Sequence, residues 1–460
     1  MLTRVFWLLE ERTRHSLKPL LNQFLFPAPS TFIRLDYRLR RAALYPAELR
    51  VRARLPIAAA PRLRKAVCAG RNPLPVSTVM AAGRNPIPLR ISGAEQFPLS
   101  IAGLITLILT AIVALATGLA RLPLAHGFAR YFDFPRVQLL VLALPAALGL
   151  VTSGLPAPWR WGAGIVLALC VADQLAHVLR FTPLWRRQSL AAPDPGDPGA
   201  RVSVMTCNVK MSNRDYGRLA RLAARVKPDI LILMEVDAGW LAGLTALRGT
   251  FDHHIDHPLG NSYGMALWSR LPLSSVTVRD LLVPDVPSIR ATVALRDGRK
   301  IALFALHPEP PVPFHPTEGR DAEIGLVGVE TTETDLPAIV AGDLNDVAWS
   351  RTTRRFQRLS GLLDPRVGRG FYSSFDARFF FLRWPLDHLF HDARFRVVDL
   401  QRLDNVGSDH FPMYFALELN GTAAQGEEIA EASEDDHAEL RRMTEREAAR
   451  DRRPIGEDWE

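Results

Sequence analysis

Acidic, amide and histidine side chains recur in the C-terminal half of the chain at the points where apolar segments end. They are Asn208, Glu235, His307, Asp343, Asn345, Asp387, Asp409 and His410. Carboxylate and amide oxygens are the hard ligands that Mg²⁺ prefers, and histidines beside them can donate hydrogen bonds or transfer protons near a phosphoryl oxygen. These residue types therefore indicate a divalent-metal site with proton-transfer groups next to it.

Each of these residues, taken alone, also has an ordinary structural explanation. Asp343 and Asn345 in GDLN could form a turn after a strand, because Asp and Asn hydrogen-bond their own backbone. Asp409 and His410 could cap a loop. Glu235 is harder to explain in this way, since a carboxylate at the end of an apolar segment needs a partner or water. Their joint occurrence favours a functional site.

The elements that would position these side chains alternate between strands and helices. After the Pro- and Gly-rich stretch 191–200, RVSVMTCNV predicts a strand, a helix follows over about 216–226, and KPDILILMEV predicts a second strand. GMALWS, RATVALR, KIALFALH and AIVAGD predict further strands. We therefore expect an α/β domain over 201–419 that is long enough to bury a substantial core.

Seven motifs stand in one order along this domain: TCNV, DILILMEV, GMALWSRLPL, ALH, GDLN, PLDHLF and SDHFP. In these motifs and their order the chain resembles the endonuclease/exonuclease/phosphatase superfamily, which includes deoxyribonucleases, apurinic endonucleases and neutral sphingomyelinases. The resemblance covers nearly the whole predicted domain. It implies a four-layer α/β/β/α sandwich of two mixed sheets, and a divalent-metal-dependent hydrolase acting on phosphoric ester bonds.

The resemblance also implies how metal and water would be held. Glu235 would ligate Mg²⁺ (or Mn²⁺), with Asn208 and Asp409 beside the ion or its waters. Asp343 would orient or deprotonate the attacking water, and Asn345 would hold the phosphate or that water. These groups suffice for in-line hydrolysis of a phosphodiester or phosphomonoester.

Two histidines and one arginine complete the implied site. His410 would contact the scissile phosphate as a general acid or as a stabiliser of the transition state. His307 would donate to another phosphoryl oxygen, with Asp387 fixing its tautomer. Arg290, in SIRATVAL, is a candidate phosphate contact, although a surface salt bridge explains it equally well.

Three apolar segments precede the domain, within residues 98–182, and predict about three transmembrane helices. The first, over about 99–119, and the second, over about 137–155, carry no charge and approach the length that crosses a hydrocarbon core. The third, over about 161–181, contains Asp173 and His177, and an interfacial or re-entrant helix is the alternative.

The flanking charges predict an orientation in the membrane. Residues 1–97 are basic and Pro-rich, which predicts a disordered extension or a mis-assigned start, with translation from Met80 as one alternative. Because Lys and Arg prefer the cytoplasmic side, this extension would place the catalytic domain outside a bacterial inner (cell) membrane after three spans. Arg180, Arg186 and Arg187 argue against that orientation.

The sequence leaves the substrate open. We expect a membrane and a phosphate ester, either a nucleic acid or a lipid head group, as partners, and no protein partner is evident. The domain lacks a basic, aromatic-interleaved insertion that would track a nucleic-acid strand. The aromatic run within 379–384 could line a cleft, dip into lipid or form a buried strand. The alternative to an enzyme is a catalytically silent, membrane-tethered binding module of the same fold.

The segments that flank the domain are predicted to be simple. Residues 183–200 are expected to be a linker, and residues 420–460 a charged, disordered or loosely helical tail. Three cysteines without a CxxC pair exclude a disulfide framework and a cysteine-ligated zinc site. The net charge of +8 is poor evidence for nucleic-acid binding, because much of it lies in the first hundred residues.

Overall fold

The computed structural model describes residues 99–424 and 426–456 of the 460-residue chain. The predicted extension over 1–97 lies outside the described residues, as do Met80 and Cys68. The predictions made for that region therefore stay predictions.

Three apolar helices and one short helix precede the sheets: α1 (Ile101–Ala120), α2 (Gly127–Tyr131), α3 (Arg136–Thr152) and α4 (Ala157–Val178). Helix α1 begins where the Ser100 side chain accepts a hydrogen bond from the Gly103 backbone. Helix α3 ends at Thr152, and Gly154, with φ of 69°, turns the chain away two residues later. By length and composition, α1 and the stretch Ala157–Phe181 could each cross a membrane, whereas α3 has only 17 residues. The second predicted span is thus the short one, and the third is a continuous helix.

The apolar helices are apolar on the outside and carry polar residues inside. Of the most apolar 18-residue windows, 33% is buried in α1 and 28% in α4, far less than in the core helix of a soluble protein. The buried face of α1 includes Thr106, Thr110 and Thr117, while Ile101 and Leu115 point outward. Small and hydroxyl residues at helix contacts, with large apolar residues facing out, are typical of helices packed within lipid.

Two mixed β-sheets follow, with eleven strands within the described residues. The strands are β1 (Arg201–Asn208), β2 (Ile230–Met234), β3 (His253–His257), β4 (Met265–Ser269), β5 (Leu273–Asp280), β6 (Pro287–Ala294), β7 (Lys300–Leu306), β8 (Ala338–Asp343), β9 (Asp387–His391), β10 (Phe395–Arg402) and β11 (Met413–Leu419). The first sheet has the order β10–β11–β1–β2–β4–β3 and the second β5–β6–β7–β8–β9. Strands β1 and β2 are parallel, as are β7 and β8, and the other neighbours are antiparallel.

Helices cover the outer faces of both sheets, except that the last helix packs on the two helices before it. They are α5 (Tyr216–Val226), α6 (Ala238–Gly243), α7 (Thr245–Arg248), α8 (Glu318–Glu330), α9 (Arg351–Ser360) and α10 (Glu434–Ala448). In β1, Val202 and Val204 enter the core between the sheets, whereas Met205 and Cys207 pack under α5 and α6. Central strands are therefore apolar on both faces, as expected when both are covered. The predicted four-layer α/β/β/α sandwich is confirmed.

The predicted linker, 183–200, contacts the domain in its middle part, over residues 188–192. Gln188 and Ser189 are fully buried, and Ala191 forms a parallel bridge with Val397 of the edge strand β10. The Gln188 side chain accepts a hydrogen bond from the Asp364 backbone at 2.7 Å. Between the apolar helices and β1, the chain is therefore held against the domain at residues 188–191.

The C-terminal tail is not disordered as expected, because it forms α10 and packs against the domain. Ser433 and Asp436 make a capping box at its start, and Leu440 and Met443 are buried against α8 and α9. Arg358 binds the Asp436 carboxylate with two nitrogens, at 2.6 and 2.8 Å. Of the two expected forms, disordered or loosely helical, residues 434–448 take the helical one, and charges of this helix pair with the domain as well as facing solvent.

The residues between α1 and α3, 121–135, which we call the connector, rest on the domain as well. The Gly127 backbone donates to the His315 carbonyl at 2.8 Å, and the Trp349 indole donates to the Asp133 carbonyl at 2.7 Å. A Cβ at Gly127 would meet the Val312 carbonyl oxygen at 1.8 Å, so this approach requires glycine. The apolar helices are therefore attached to the domain at two places.

Candidate active site

The predicted site residues meet at one edge of the sandwich, where strands from both sheets end or begin. Asn208 ends β1 and Glu235 follows β2; His307 follows β7, Asp343 ends β8 and Asp387 begins β9. Parallel strands place their carboxyl ends at the same edge, and the β8–β9 register sets Asp343 opposite Asp387. Asp409 and His410 reach this edge from the loop before β11.

Asn208 joins the acidic groups of the two sheets. Its side-chain nitrogen donates to Glu235 Oε1 at 2.8 Å and to Asp343 Oδ2 at 3.0 Å. The second Glu235 oxygen accepts from the Met211 backbone at 3.1 Å. Asn208 is 1% exposed and Asp343 is fully buried, so these bonds hold two carboxylates in a fixed relation to each other.

His410 lies between two carboxylates. Its Nδ1 is 2.8 Å from Asp387 Oδ2, and its Nε2 is 3.4 Å from Asp343 Oδ2. The expectation that Asp387 fixes the tautomer of His307 is therefore wrong, because Asp387 pairs with His410. The pair leaves Nε2 of His410 pointing toward Asp343 and toward the space where a reacting group would sit.

His307 and Asn345 flank Asp343 on its other side. His307 Nδ1 is 3.3 Å from the Asp343 carbonyl oxygen and 3.9 Å from its Oδ2. The Asn345 backbone donates to Asp343 Oδ1 at 2.9 Å, and its side chain donates to the Pro308 carbonyl at 2.9 Å. Gly342, with φ of 145°, allows the close approach of β8 to Leu306 that brings these groups together.

Lys210 is a site residue that the sequence analysis did not identify. Its ammonium group lies 2.9 Å from Asp409 Oδ2, and its backbone donates to Asn208 Oδ1 at 3.0 Å. Lys210, Glu235 and Asn345 all have positive φ, between 50° and 60°. Such backbone strain in residues other than glycine tends to occur at functional sites. The basic residue directly after TCNV was the one available signal.

The electrostatics of the site suit Asp343 as a proton acceptor and His410 as a proton donor. Burial raises the pKa of Asp343 and that of Glu235. Burial lowers the pKa of His410, but Asp343 and Asp387 outweigh it and raise the pKa to about 10. A carboxylate with a raised pKa accepts a proton more readily, and the histidine stays charged at neutral pH.

The donor set fits a hard divalent cation. Glu235, Asp409 and the Asn208 carbonyl offer only oxygens, as Mg²⁺ prefers, and the lysine ammonium on Asp409 shows that this position favours positive charge. Asp343, Asp387 and His410 also bring one ligand atom each within 4.8 Å of one another. We favour the oxygen-only set, because it contains no nitrogen ligand and hard cations such as Mg²⁺ prefer oxygen.

Arg290 does not belong to this site. It lies within β6 on the face toward α8, where its guanidinium binds Glu330 at 2.7 Å and lies over the Phe304 ring at 5.4 Å. Its neighbours Ile289 and Ala291 point into the core between the sheets. The candidate phosphate contact is therefore a structural ion pair, which was the alternative left open by the sequence.

A buried chain of charges connects the site with the connector. Arg320 donates to the Asn345 carbonyl at 2.8 Å and to Asp321 at 2.6 Å, and Arg130 of the connector donates to Asp321 at 2.7 Å. Burial would raise the pKa of Asp321, but the two arginines hold it below its usual range. The loop that carries Asn345 is thus braced from the side of the apolar helices.

Glu323 of α8 gives a pH-dependent stability that can be measured. The carboxyl is 3% exposed, and burial raises its pKa to about 8. The folded state then keeps a proton that the unfolded chain releases above its own, lower pKa. Stability should therefore fall by up to about 4 kcal/mol as the pH rises from about 5 to 8. Glu323→Gln should remove this loss in thermal unfolding of the full chain in detergent.

The matched control for Glu323 is Glu428→Gln, at an exposed position. This change should leave the dependence of the melting temperature on pH as it is in the wild type. Parallel profiles for the wild type and Glu323→Gln would contradict the raised pKa of Glu323.

Comparison with known proteins gives the following matches. Residues 205–410, which include every predicted site residue, match the model of the endonuclease/exonuclease/phosphatase family. No curated protein sequence matches the chain. The D. rerio TDP2 complex with a single-strand DNA product matches with 16% identity and a TM-score of 0.39, over 48% of this chain and 99% of that chain.

Two further solved structures match the chain to a similar extent. The human nocturnin catalytic domain with bound sulfate has 17% identity and a TM-score of 0.40, over 48% of this chain and 94% of that chain. The mannosyl-6-phosphatase from Bacteroides thetaiotaomicron has 19% identity and a TM-score of 0.37, over 47% of this chain and 99% of that chain.

Proposed function

We propose that the chain is a membrane-anchored, Mg²⁺-dependent hydrolase of a phosphodiester or phosphomonoester, because residues 205–410 match the model of the endonuclease/exonuclease/phosphatase family. One observation carries the proposal: Asp343 Oδ2 is hydrogen-bonded to Asn208, which also binds Glu235, and lies 3.4 Å from His410 Nε2. A base, an acid and a metal ligand thus share one small volume.

In the proposed reaction, Asp343 takes the proton of the attacking water, helped by the raised pKa of its carboxyl group. His410 donates from Nε2 to a phosphoryl or leaving oxygen, while Asp387 holds the ring through Nδ1. His307 and Asn345 orient the phosphate around Asp343. Glu235, Asp409 and Asn208 would hold Mg²⁺ (or Mn²⁺), which when bound neutralises charge that develops on the phosphoryl oxygens.

Support for the membrane anchor comes from the apolar helices. A bundle that exposes Ile101 and Leu115 and buries Thr106 and Thr110 has the polarity expected in lipid, not in water. We propose that α1, α3 and α4 cross a bacterial cell membrane and that the domain lies on its extracytoplasmic side. Three crossings place the end of α1, the start of α3 and the end of α4 on the same side as the domain.

The test is hydrolysis of a soluble chromogenic phosphodiester and of plasmid DNA by the full chain in detergent. We expect turnover with Mg²⁺ or Mn²⁺, and none after chelation with EDTA until metal is added back. Turnover of neither substrate, nor of a chromogenic phosphomonoester, by folded and metal-replete protein would favour the silent binding module over the enzyme.

Glu235→Gln should weaken the binding of the metal without abolishing it. The neutral amide keeps an oxygen but loses one negative charge, so the Mg²⁺ concentration for half-maximal activity should rise at least about tenfold, the scale on which even outer partners of metal ligands act. Metal titration of activity, together with calorimetry, measures the shift. The matched control is Glu330→Gln, at the carboxylate that binds Arg290 outside the site, which should leave the titration unchanged.

A further inference from the structure

Large exposed aromatic side chains in the described part of the catalytic domain lie on two loops only. Three phenylalanines that follow α4 are exposed: Phe314 by 80%, Phe380 by 80% and Phe381 by 57%. Each lies on a loop that is directly next to a catalytic residue. Exposed aromatic groups confined to one place mark an interaction surface.

The first of these loops is the hairpin 375–384. At its base, the Phe375 ring packs on His410 with centroids 4.9 Å apart, and the Ala377 backbone donates to the Asp409 carbonyl at 2.7 Å. At its tip stand Phe380 and Phe381. The expectation of a buried strand over 379–384 is wrong, because these residues form an exposed turn.

The same hairpin touches the apolar helices on its other side. Gln138, in the first turn of α3, donates to the Phe381 carbonyl at 2.9 Å, and the Trp384 ring packs edge-on against Phe134 with centroids 5.6 Å apart. Phe381 is six residues from Phe375, so the tip is at most roughly 20 Å of chain from the His410 contact. The hairpin therefore spans the distance between α3 and the catalytic histidine.

The second loop, 308–316, has the same relation to the site and the helices. It begins directly after His307, and His126 of the connector pairs with its last residue, Pro316. Phe314 at its tip has φ of 74°, a strained conformation for a bulky side chain, and yet points outward. Burial within the domain does not explain why this strain is kept.

The chain between and after the helices completes the surface. We define the rim as Phe314, Phe380 and Phe381 with Leu124, Phe128 and Leu184, all of which are at least 47% exposed. Two of these residues belong to the connector, and Leu184 lies six residues after the end of the last apolar helix. Arg378 and Arg383 flank the tip of the hairpin. Aromatic and apolar groups with arginines beside them are typical of segments that lie in a lipid interface.

We propose that the rim rests in the lipid surface that the apolar helices cross, and that the site receives its phosphate ester from a lipid in that surface. The inference rests on the proposed function and names its substrate class. A lipid surface is the expected partner of the rim because the rim adjoins the lipid-facing helices, through α3 and the connector. From there its two loops lead to His410 and His307. Phosphate groups of lipids lie in the interface that such loops enter.

The depth of a label on the rim in the membrane tests directly whether the rim lies in lipid. A fluorescent NBD label at Phe381→Cys, in the full chain with its native cysteines replaced by alanine, is placed in nanodiscs of phosphatidylcholine and phosphatidylglycerol. We expect blue-shifted emission and quenching by doxyl-labelled lipid. The same label at Val276→Cys, an exposed position on the edge strand β5, should not be quenched. Equal, weak quenching at both positions would overturn the docking of the rim.

Activity tests the delivery of the substrate. The double variant Phe380→Ser, Phe381→Ser should lose about tenfold or more in turnover of lipid phosphate esters in nanodiscs, because two aromatic anchors are lost. The lipid panel contains phosphatidylglycerol, phosphatidylinositol phosphate and sphingomyelin. Turnover of the soluble chromogenic phosphodiester should stay unchanged. The control is Val276→Ser, Val398→Ser, which changes two exposed apolar residues on edge strands outside the rim.

The outcomes separate this inference from the proposed function. An equal loss on lipid and soluble substrates, or no loss on lipid, would overturn the role of the rim. Turnover of the soluble ester with no turnover of any lipid in the panel would overturn lipid delivery and leave the hydrolase standing. Turnover of neither by the wild type would contradict the proposed function, and label quenching would still decide whether the rim docks.

Discussion

We expect His410→Gln to lower kcat on a soluble phosphodiester by about two to four orders of magnitude, the range over which a positioned acid or base contributes. Glutamine can still donate a hydrogen bond, but it cannot carry the proton that Asp343 and Asp387 hold on the imidazole at neutral pH. The side chain is buried, so the variant is compared with the wild type by thermal unfolding as well as by steady-state kinetics. KM should change much less than kcat, because the lost interaction concerns proton transfer.

The control for His410 is His254→Gln, on the edge strand β3. Its imidazole Nε2 lies 2.7 Å from the Arg248 carbonyl oxygen and is remote from the strand ends that form the site. This variant should keep wild-type kinetics. If His410→Gln retained activity within about tenfold of the wild type, His410 would not be the acid of the reaction.

Asp321→Asn should be the most destabilising of the changes considered, by about 3–5 kcal/mol, because it leaves buried guanidinium groups without their carboxylate. Asp321 binds both Arg130 of the connector and Arg320, and all three side chains are almost fully buried. Unfolding of the full chain in detergent, followed by near-ultraviolet circular dichroism, measures the loss. Activity should fall too, since Arg320 also holds the Asn345 carbonyl.

Asp404→Asn is the matched surface change. Its partner is Arg225, and the two side chains are 78% and 65% exposed. Exposed ion pairs contribute roughly 0–1 kcal/mol, so this variant should unfold close to the wild type. If Asp321→Asn were no less stable than Asp404→Asn, the buried charges would not be what joins the connector to the catalytic domain.

Much of the site could be predicted because the ends of buried strands can be recognised in the sequence. An apolar segment that is buried on both faces ends visibly, and the polar residue after it must lie at an edge of the sheet. Asn208, Glu235 and Asp343 follow this rule, and the structure brings their side chains within hydrogen-bond distance. The fold follows for the same reason, since alternation of such strands with amphipathic helices leaves few arrangements of layers.

Which histidine pairs with which carboxylate in the site could not be predicted, because this depends on loops, and loops have no sequence periodicity that indicates their path. His410 comes from the loop before β11, and only the path of that loop decides that it meets Asp387 while His307 does not. Arg290 was misjudged for a related reason. The alternation within β6 shows that Ile289 and Arg290 face opposite sides, but the sequence does not say which face lies toward the site.

The parts outside the domain core were predicted less well, because solvent exposure was inferred from charge alone and burial from aromatic content alone. The tail 420–460 has the composition of a solvated segment, yet Leu440 and Met443 are enough to bury one face of α10 when ion pairs align it. The aromatic run 379–384 has the composition of a buried strand, yet the hairpin exposes Phe380 and Phe381. The composition of a segment shows which side chains it could bury. Whether they are buried depends on contacts with elements that are distant in the sequence.

The double attachment of the catalytic domain, through the connector and through residues 188–191, sets how the protein would sample its surroundings. A domain on one long, flexible tether can move far from the membrane surface and can bind substrates that are dissolved in the surrounding solution. A domain clamped at two points keeps one height and one tilt, so with its helices in a bilayer it meets only molecules that diffuse laterally past it. Its rate would then follow the mole fraction of substrate in the membrane, and dilution of the surrounding solution would leave it unchanged.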